Sequence, residues 1–227
     1  MSSTASTATP IGCEPADRVT KALLGYGVIA GPTYVLVGLA QALTRPGFDL
    51  TRHEWSLLAN GRFGWIQIAN FVVCGAMTLA FAVGLRRALW PGRGATWGPR
   101  LVGLYGLGLI AAGVFRADPS LGFPVGTTDV PGAISWHGML HLVSAMIGFA
   151  GLVGACFVLA ARYAADGRTA LARASRAVGV VFLLALAGVA SGQGSVAVNL
   201  GFTGAVVLAW GWLSAVAIDR YRVVAGR

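Results

Sequence analysis

Long apolar stretches separated by short polar segments make up most of the chain after residue 21. A bilayer core about 30 Å thick requires about 20 helical residues, because a helix rises about 1.5 Å per residue. Residues 22–43, 63–86 and 134–161 are long enough to meet this requirement. The pattern therefore predicts a transmembrane helix in each of these three stretches.

Two further stretches need a closer count. Residues 97–117 hold only fifteen consecutive uncharged positions between Arg100 and Arg116. Long arginine side chains can reach the interfaces, so this stretch is also predicted to span. Residues 177–218 form an uncharged run of 42 residues, about 63 Å as a helix, which is enough for two crossings. These are predicted at 175–193 and 198–218, with the break in the Gly- and Ser-rich segment 191–195.

Composition supports an all-α integral membrane protein with six transmembrane helices. Hydrophobic residues make up 56% of the chain and charged residues 11%, against about 25% charged residues in soluble domains. These values exclude a soluble globular protein and a disordered chain. The net charge of +9 does not indicate a nucleic-acid partner, because most basic residues lie beside apolar stretches.

The distribution of basic residues predicts the orientation of the helices. Thirteen Lys and Arg residues fall on one side of the predicted bundle and four on the other. Since basic residues concentrate in cytoplasmic loops, both termini are predicted to be cytoplasmic. Residues 1–21 are then expected to be a disordered cytoplasmic tail, residues 22–218 the six-helix bundle, and residues 219–227 a basic cytoplasmic tail.

Polar side chains collect at the outward-facing end of this predicted bundle. All three histidines lie there, two of them at the start of the fourth helix. We expect them to form a polar cup that binds a lipid, a small amphiphile or a partner protein. The residues assigned to this cup are Asp49, His53, Ser56, Asn70, Asp118, His137 and His141.

The spacing of two histidines suggests an alternative function. His137 and His141 are four residues apart, so both project from one face of a helix. With Asp118 as a third ligand they could hold zinc and a water molecule, which suits a metal-dependent hydrolase acting on a lipid-like ester or amide. His53 and Asp118 are the candidate catalytic residues. The structural alternative is a hydrogen-bonded histidine pair that fixes the outer loops, since HxxxH lacks the glutamate base of HExxH proteases.

Other partners and functions are constrained by the same pattern. Membrane lipids are the expected neighbours, and a second copy or another membrane protein is a candidate partner. A transporter is disfavoured, because no ionisable residue lies near the predicted midplane to relay protons.

Several segments together carry a family resemblance. They are residues 45–49, 56–61, 64–67, 70–71 and 115–119, followed by the His137/His141 pair. In these segments the chain resembles the bacterial six-helix membrane proteins grouped as domain of unknown function 998, over nearly its whole length after the tail. The resemblance implies a six-helix fold in the bacterial plasma membrane and no particular chemistry. A looser similarity links the HxxxH pair to membrane hydrolases that include alkaline ceramidases, in which the pair lies in the last helix rather than the fourth.

Overall fold

The chain is helical throughout most of the part that the structure describes. The structure is a computed structural model that describes residues 15–129, 132–192 and 194–226, and it places no β-strand in them. Five of the six long helices, all except α3, are long and apolar enough to cross a membrane. The helices are α1 (Pro15–Thr44), α2 (Gly64–Leu89), α3 (Trp97–Val114), α4 (Trp136–Ala165), α5 (Thr169–Ala190) and α6 (Val196–Ala225), with a short 3-10 helix (Trp55–Ala59) between α1 and α2.

Serine residues begin two of the helices. Ser135 precedes α4, and its hydroxyl accepts a hydrogen bond from the Gly138 backbone N–H at 3.0 Å. Ser195 does the same for α6, accepting from Val198 N–H at 3.3 Å. Each side chain satisfies a backbone donor that the first helical turn leaves free. The α5–α6 connection therefore falls in residues 191–195, as the sequence predicts.

The outermost helices extend further than the apolar pattern indicates. Residues 15–21 belong to α1 and residues 219–225 to α6, so the predicted tails are helical over these positions. Tertiary contacts explain the difference, because Arg87 Nε donates to the Thr20 hydroxyl at 2.9 Å. Near the end of α6, Asp219 forms ion pairs with Arg168 and Arg220. Residues 1–14 of the predicted tail lie outside the described residues.

The six helices form a closed ring in sequence order. Each helix packs against the next, and α6 returns to α1. Successive helices run antiparallel, so the connections fall at two ends. The histidine end carries residues 45–63, 115–135 and 191–195, and the arginine end carries residues 90–96 and 166–168.

Glycine allows a close approach where α3 crosses α4. A Cβ atom added to Gly108 would lie 2.7 Å from the Cα atom of Gly148 and 2.9 Å from the Ser144 carbonyl oxygen. Any side chain at Gly108 would therefore push the two helices apart. Small residues are used in this way in membrane proteins, where close backbone contact supplies much of the attraction between helices.

Candidate functional site

A cavity of about 530 Å³ lies within the helix ring toward the histidine end. All six helices and the segments around Glu54 and Asp118 contribute to its lining. Most of the wall is apolar and comes from residues that include Leu109, Ala112, Leu142, Met146, Leu186 and Val206. Its size falls within the usual range of about 300–1,000 Å³ for small-molecule sites.

Three aromatic side chains close the deep end of the cavity. Tyr34 and Tyr105 line it. Behind them Trp210 stacks on Tyr34 with 4.8 Å between ring centroids and contacts Tyr105 at 5.5 Å. Trp210 is 1% exposed and is not part of the lining. Tyr34, Tyr105 and Trp210 are termed the aromatic floor.

His141 lines the cavity and has one free ring nitrogen. Its Nδ1 atom lies 3.1 Å from the Ala112 carbonyl oxygen and 2.8 Å from that of Phe115. Carbonyl oxygens only accept hydrogen bonds, so Nδ1 carries the proton in the neutral ring. Nε2 forms no hydrogen bond with the described residues. Because His141 is only 4% exposed and lines the cavity, Nε2 is an acceptor available to a bound molecule.

His137 has different contacts from His141 despite the helical spacing. Its ring stacks on Trp136 with 3.7 Å between centroids and is 6.1 Å from Phe115. The Nδ1 atom is buried without a hydrogen-bond partner, and the residue does not line the cavity. The two rings therefore occupy different environments.

His53 connects two loops of the histidine end. Its Nδ1 accepts a hydrogen bond from the Asp49 backbone N–H, and its Nε2–H donates to the Leu121 carbonyl, both at 2.9 Å. The side chain is 2% exposed. Both ring nitrogens are thus engaged with the backbone, and neither is free for a ligand.

Asp49 shapes the same loop through its carboxylate. Oδ1 accepts hydrogen bonds from the Thr51 hydroxyl at 2.7 Å and from the Thr51 backbone N–H at 2.8 Å. These bonds to the ionised form hold the pKa of the Asp49 carboxyl below its usual range. Asp49 does not line the cavity, so the geometry gives it a loop-stabilising role.

Two acidic residues and two serines are among the polar residues that line the cavity. Asp118 accepts hydrogen bonds from the Ser135 backbone N–H at 2.7 Å and from the Ser135 hydroxyl at 2.5 Å. Ser56, one of the residues assigned to the predicted cup, also lines the cavity, as does Ser120. Glu54 lines it too, is half-buried, and forms no hydrogen bond or ion pair with the described residues. Glu54 is not among the site residues that the sequence predicts.

Asn70 takes part in an interhelical polar cluster rather than in the cavity wall. Its Nδ2 donates to the Tyr34 carbonyl in α1 at 3.2 Å, and its Oδ1 accepts from the Cys74 thiol at 3.3 Å. Nearby, Gln41 in α1 donates to Gln67 in α2 at 2.8 Å. Buried amides of this kind join transmembrane helices. The two glutamines were not identified as interhelical contacts from the sequence.

The predicted zinc ligands are not gathered around one point. Among the described residues, no group of three or more His, Cys, Asp or Glu side chains is placed to hold a metal ion. His137 stacks on Trp136, and both oxygens of Asp118 bind Ser135. The zinc site and the hydrolase function stay predictions that this side-chain arrangement does not support.

The apolar helices and the internal cavity define a multi-pass helical membrane protein. The chain belongs to the family described as "Protein of unknown function (DUF998)", which matches residues 28–219. The family resemblance drawn from the loop segments is therefore confirmed. No curated protein and no solved structure matches the chain significantly.

Proposed function

We propose that the protein binds one lipid or small amphiphile in the cavity. The observation that carries this proposal is the division of the cavity into an apolar wall and a polar end. An amphiphile has the same division, so its tail would contact the helices while its head meets Glu54, Asp118 and His141. Burial of apolar surface would supply most of the affinity, at about 25 cal/mol per Å².

The surface between α4 and α5 supports entry of the tail from the bilayer. The two helices pack closely at the middle of α5, where a Cβ atom on Gly179 would lie 3.0 Å from the Cys156 Cβ. Toward the histidine end, no residue in 183–190 of α5 is fully buried. Leu142 and Met146 of α4 line the cavity while being 50% and 48% exposed. The cavity wall is thus continuous here with a surface that acyl chains would contact in a membrane.

The proposal includes a bacterial plasma-membrane topology in which α3 is the sixth spanning helix and both termini are cytoplasmic. Its 18 residues reach about 27 Å, close to the bilayer core. The excess of basic residues at the arginine end favours a cytoplasmic location for that end. Cysteines introduced at exposed Gly126 and Gly167 provide the test, with native cysteines replaced. An impermeant maleimide added to intact cells should label only Gly126→Cys, and the reverse labelling would refute the orientation.

Filling the cavity tests ligand binding directly. Ala145 lines the cavity, whereas Ala150 on the same helix is exposed and does not. We expect Ala145→Phe to reduce binding of dodecyl-chain amphiphiles at least tenfold and Ala150→Phe to leave it unchanged. Calorimetric titration below the micelle-forming concentration, with the protein in amphipol, measures both.

A second cavity variant, at a different position, tests the same prediction if Ala145→Phe does not fold. Leu186→Trp narrows the same cavity from α5 and should weaken binding as Ala145→Phe does. Equal binding by wild type and by folded cavity variants would show that the amphiphile occupies another surface. No binding to the wild type would refute the proposed function.

A further inference from the structure

We propose that the amphiphile carries a positively charged amine head and that Glu54 is its counter-ion. This inference rests on the proposed function and specifies the ligand class. It is carried by the unpaired carboxylate of Glu54, the free acceptor of His141 and the absence of Lys and Arg from the described cavity lining.

Glu54 lies at the entrance to the 3-10 helix with its charge uncompensated. It occupies the N-cap position, but its side chain makes no capping hydrogen bond. The residue is half-buried and lines the cavity. Partial removal of a carboxylate from water is unfavourable unless a partner replaces the lost hydration. A cationic head would provide that partner.

The charges around the cavity favour a cation over an anion. Glu54 and Asp118 both line the cavity, and none of the described lining residues is Lys or Arg. Arg45 at this end is engaged elsewhere, because its guanidinium donates to the Leu58 and Asn60 carbonyl oxygens, each at 2.5 Å. An anionic head would therefore meet two like charges with no compensating cation in the lining.

Other basic residues of the histidine end also lie away from the lining. Arg52 pairs with Asp129 at 3.2 Å, and both side chains are largely exposed. Arg116 is exposed and does not line the cavity. The two carboxylates of Glu54 and Asp118 are therefore not matched by any Lys or Arg in the described lining.

The available hydrogen-bonding groups match an amine as well. Neutral His141 offers Nε2 as an acceptor, and ionised Glu54 accepts only. Asp118 is already bound to Ser135. A protonated amine has only donors and therefore suits both acceptors, whereas a sulfate head has only acceptors. Trp55 also lines the cavity, and aromatic rings attract cations.

Four probes with the same dodecyl tail and different heads separate the contribution of head charge to the affinity from that of the tail. They are dodecylammonium, dodecyltrimethylammonium, an uncharged dodecyl polyether and dodecyl sulfate, each titrated below its micelle-forming concentration. We expect affinities to fall in that order, with dodecylammonium about tenfold tighter than the polyether, as for one charge-assisted hydrogen bond. Tighter binding of dodecyl sulfate than of dodecylammonium would overturn the inference.

Two variants with the same change in charge assign the effect to Glu54. Glu54→Gln should abolish the preference for dodecylammonium over the polyether. Asp129→Asn removes an exposed carboxylate at the same end, outside the lining, and should retain the preference. Glu54→Asp keeps the charge on a shorter side chain and should give an intermediate preference, which provides a second readout.

The outcomes distinguish this inference from the proposed function. A preference that survives in Glu54→Gln, or that disappears equally in Asp129→Asn, refutes the role of Glu54. If Ala145→Phe still blocks the polyether in that case, the cavity remains the binding site and only the ligand class is wrong. If no dodecyl probe binds the wild type, both proposals fail.

Discussion

The pair formed by Asp118 and Ser135 should control the start of α4 and with it the polar end of the cavity. Asp118 accepts two hydrogen bonds from Ser135, whose hydroxyl in turn accepts from Gly138 N–H. A hydrogen bond to a charged group contributes about 1.5–3 kcal/mol, and this site is partly exposed. We therefore expect Asp118→Ala to lower the free energy of unfolding by about 2–3 kcal/mol, and Ser135→Ala by about 1–2 kcal/mol as an N-cap loss.

Asp118→Asn removes the charge of the side chain while keeping its shape, so it isolates the contribution of the charge to stability. The amide oxygen can still accept from Ser135 N–H, so the expected loss is about 1 kcal/mol, because charge-assisted bonds are roughly twice as strong as neutral ones. Unfolding in mixed micelles at increasing dodecyl sulfate concentration gives the free energies. The double variant Asp118→Ala/Ser135→Ala completes a double-mutant cycle. Because each single variant removes the hydrogen bond between the Ser135 hydroxyl and Asp118, we expect a coupling energy of about 1 kcal/mol or more. Additive losses, with coupling near zero, would contradict the structure.

Two other contacts at the histidine end give separate predictions. His53→Phe should leave Asp49 N–H and Leu121 C=O unpaired and destabilise these loops by about 2–3 kcal/mol, seen as faster amide exchange at residues 49–53. His137→Phe, which loses no hydrogen bond, is the control, and equal exchange in both variants would contradict the prediction. Thr51→Val should raise the lowered pKa of Asp49, because it removes the hydroxyl bond that contributes most. The low folded-state pKa of Asp49 stabilises the protein at neutral pH, and this stabilisation is lost as the pH falls through that pKa. Because Thr51→Val raises the folded-state pKa, the variant should lose less stability on acidification. Carbon NMR titration of the carboxyl measures the midpoint, and an unchanged midpoint would refute the assignment.

The sequence predicts the helices well because their boundaries depend on local chemistry. Glycine and serine residues in 191–195 interrupt the uncharged run, and α5 and α6 are separated at that place. The ends of α1 and α6 could not be predicted in the same way. The first turns of α1 and the last turns of α6 are stabilised by contacts between distant residues, such as Arg87 with Thr20. The length of an apolar stretch indicates how many helical residues fit in a membrane. It does not indicate whether the helix continues into the polar residues beside that stretch.

The histidine pair shows why the site is harder to predict than the helices. Spacing of four residues places His137 and His141 on similar faces of α4, and this part of the prediction follows from helix geometry. His141 lies within reach of the carbonyl groups at the end of α3, whereas His137 is in the first turn and stacks on Trp136. The environment of each ring is therefore set by other segments, which periodicity does not reveal.

Glu54 was missed for a related physical reason. The helix that follows it spans only Trp55–Ala59, too short for a periodic pattern. Its position depends on long-range contacts, such as that between the Trp55 and Tyr34 rings at 5.9 Å. Only the folded arrangement brings Glu54 to the cavity.

The aromatic floor limits what the described conformation can do with a bound molecule. Tyr34 lies ten residues before the end of α1, about 15 Å along the helix, or half of a bilayer core about 30 Å thick. Trp210 stacks behind it and closes the route toward the arginine end. A molecule in the cavity would therefore exchange with one leaflet and return to that leaflet. Under the proposed function, an amphiphile would be sampled or presented on one side of the membrane, and translocation would require the floor to open.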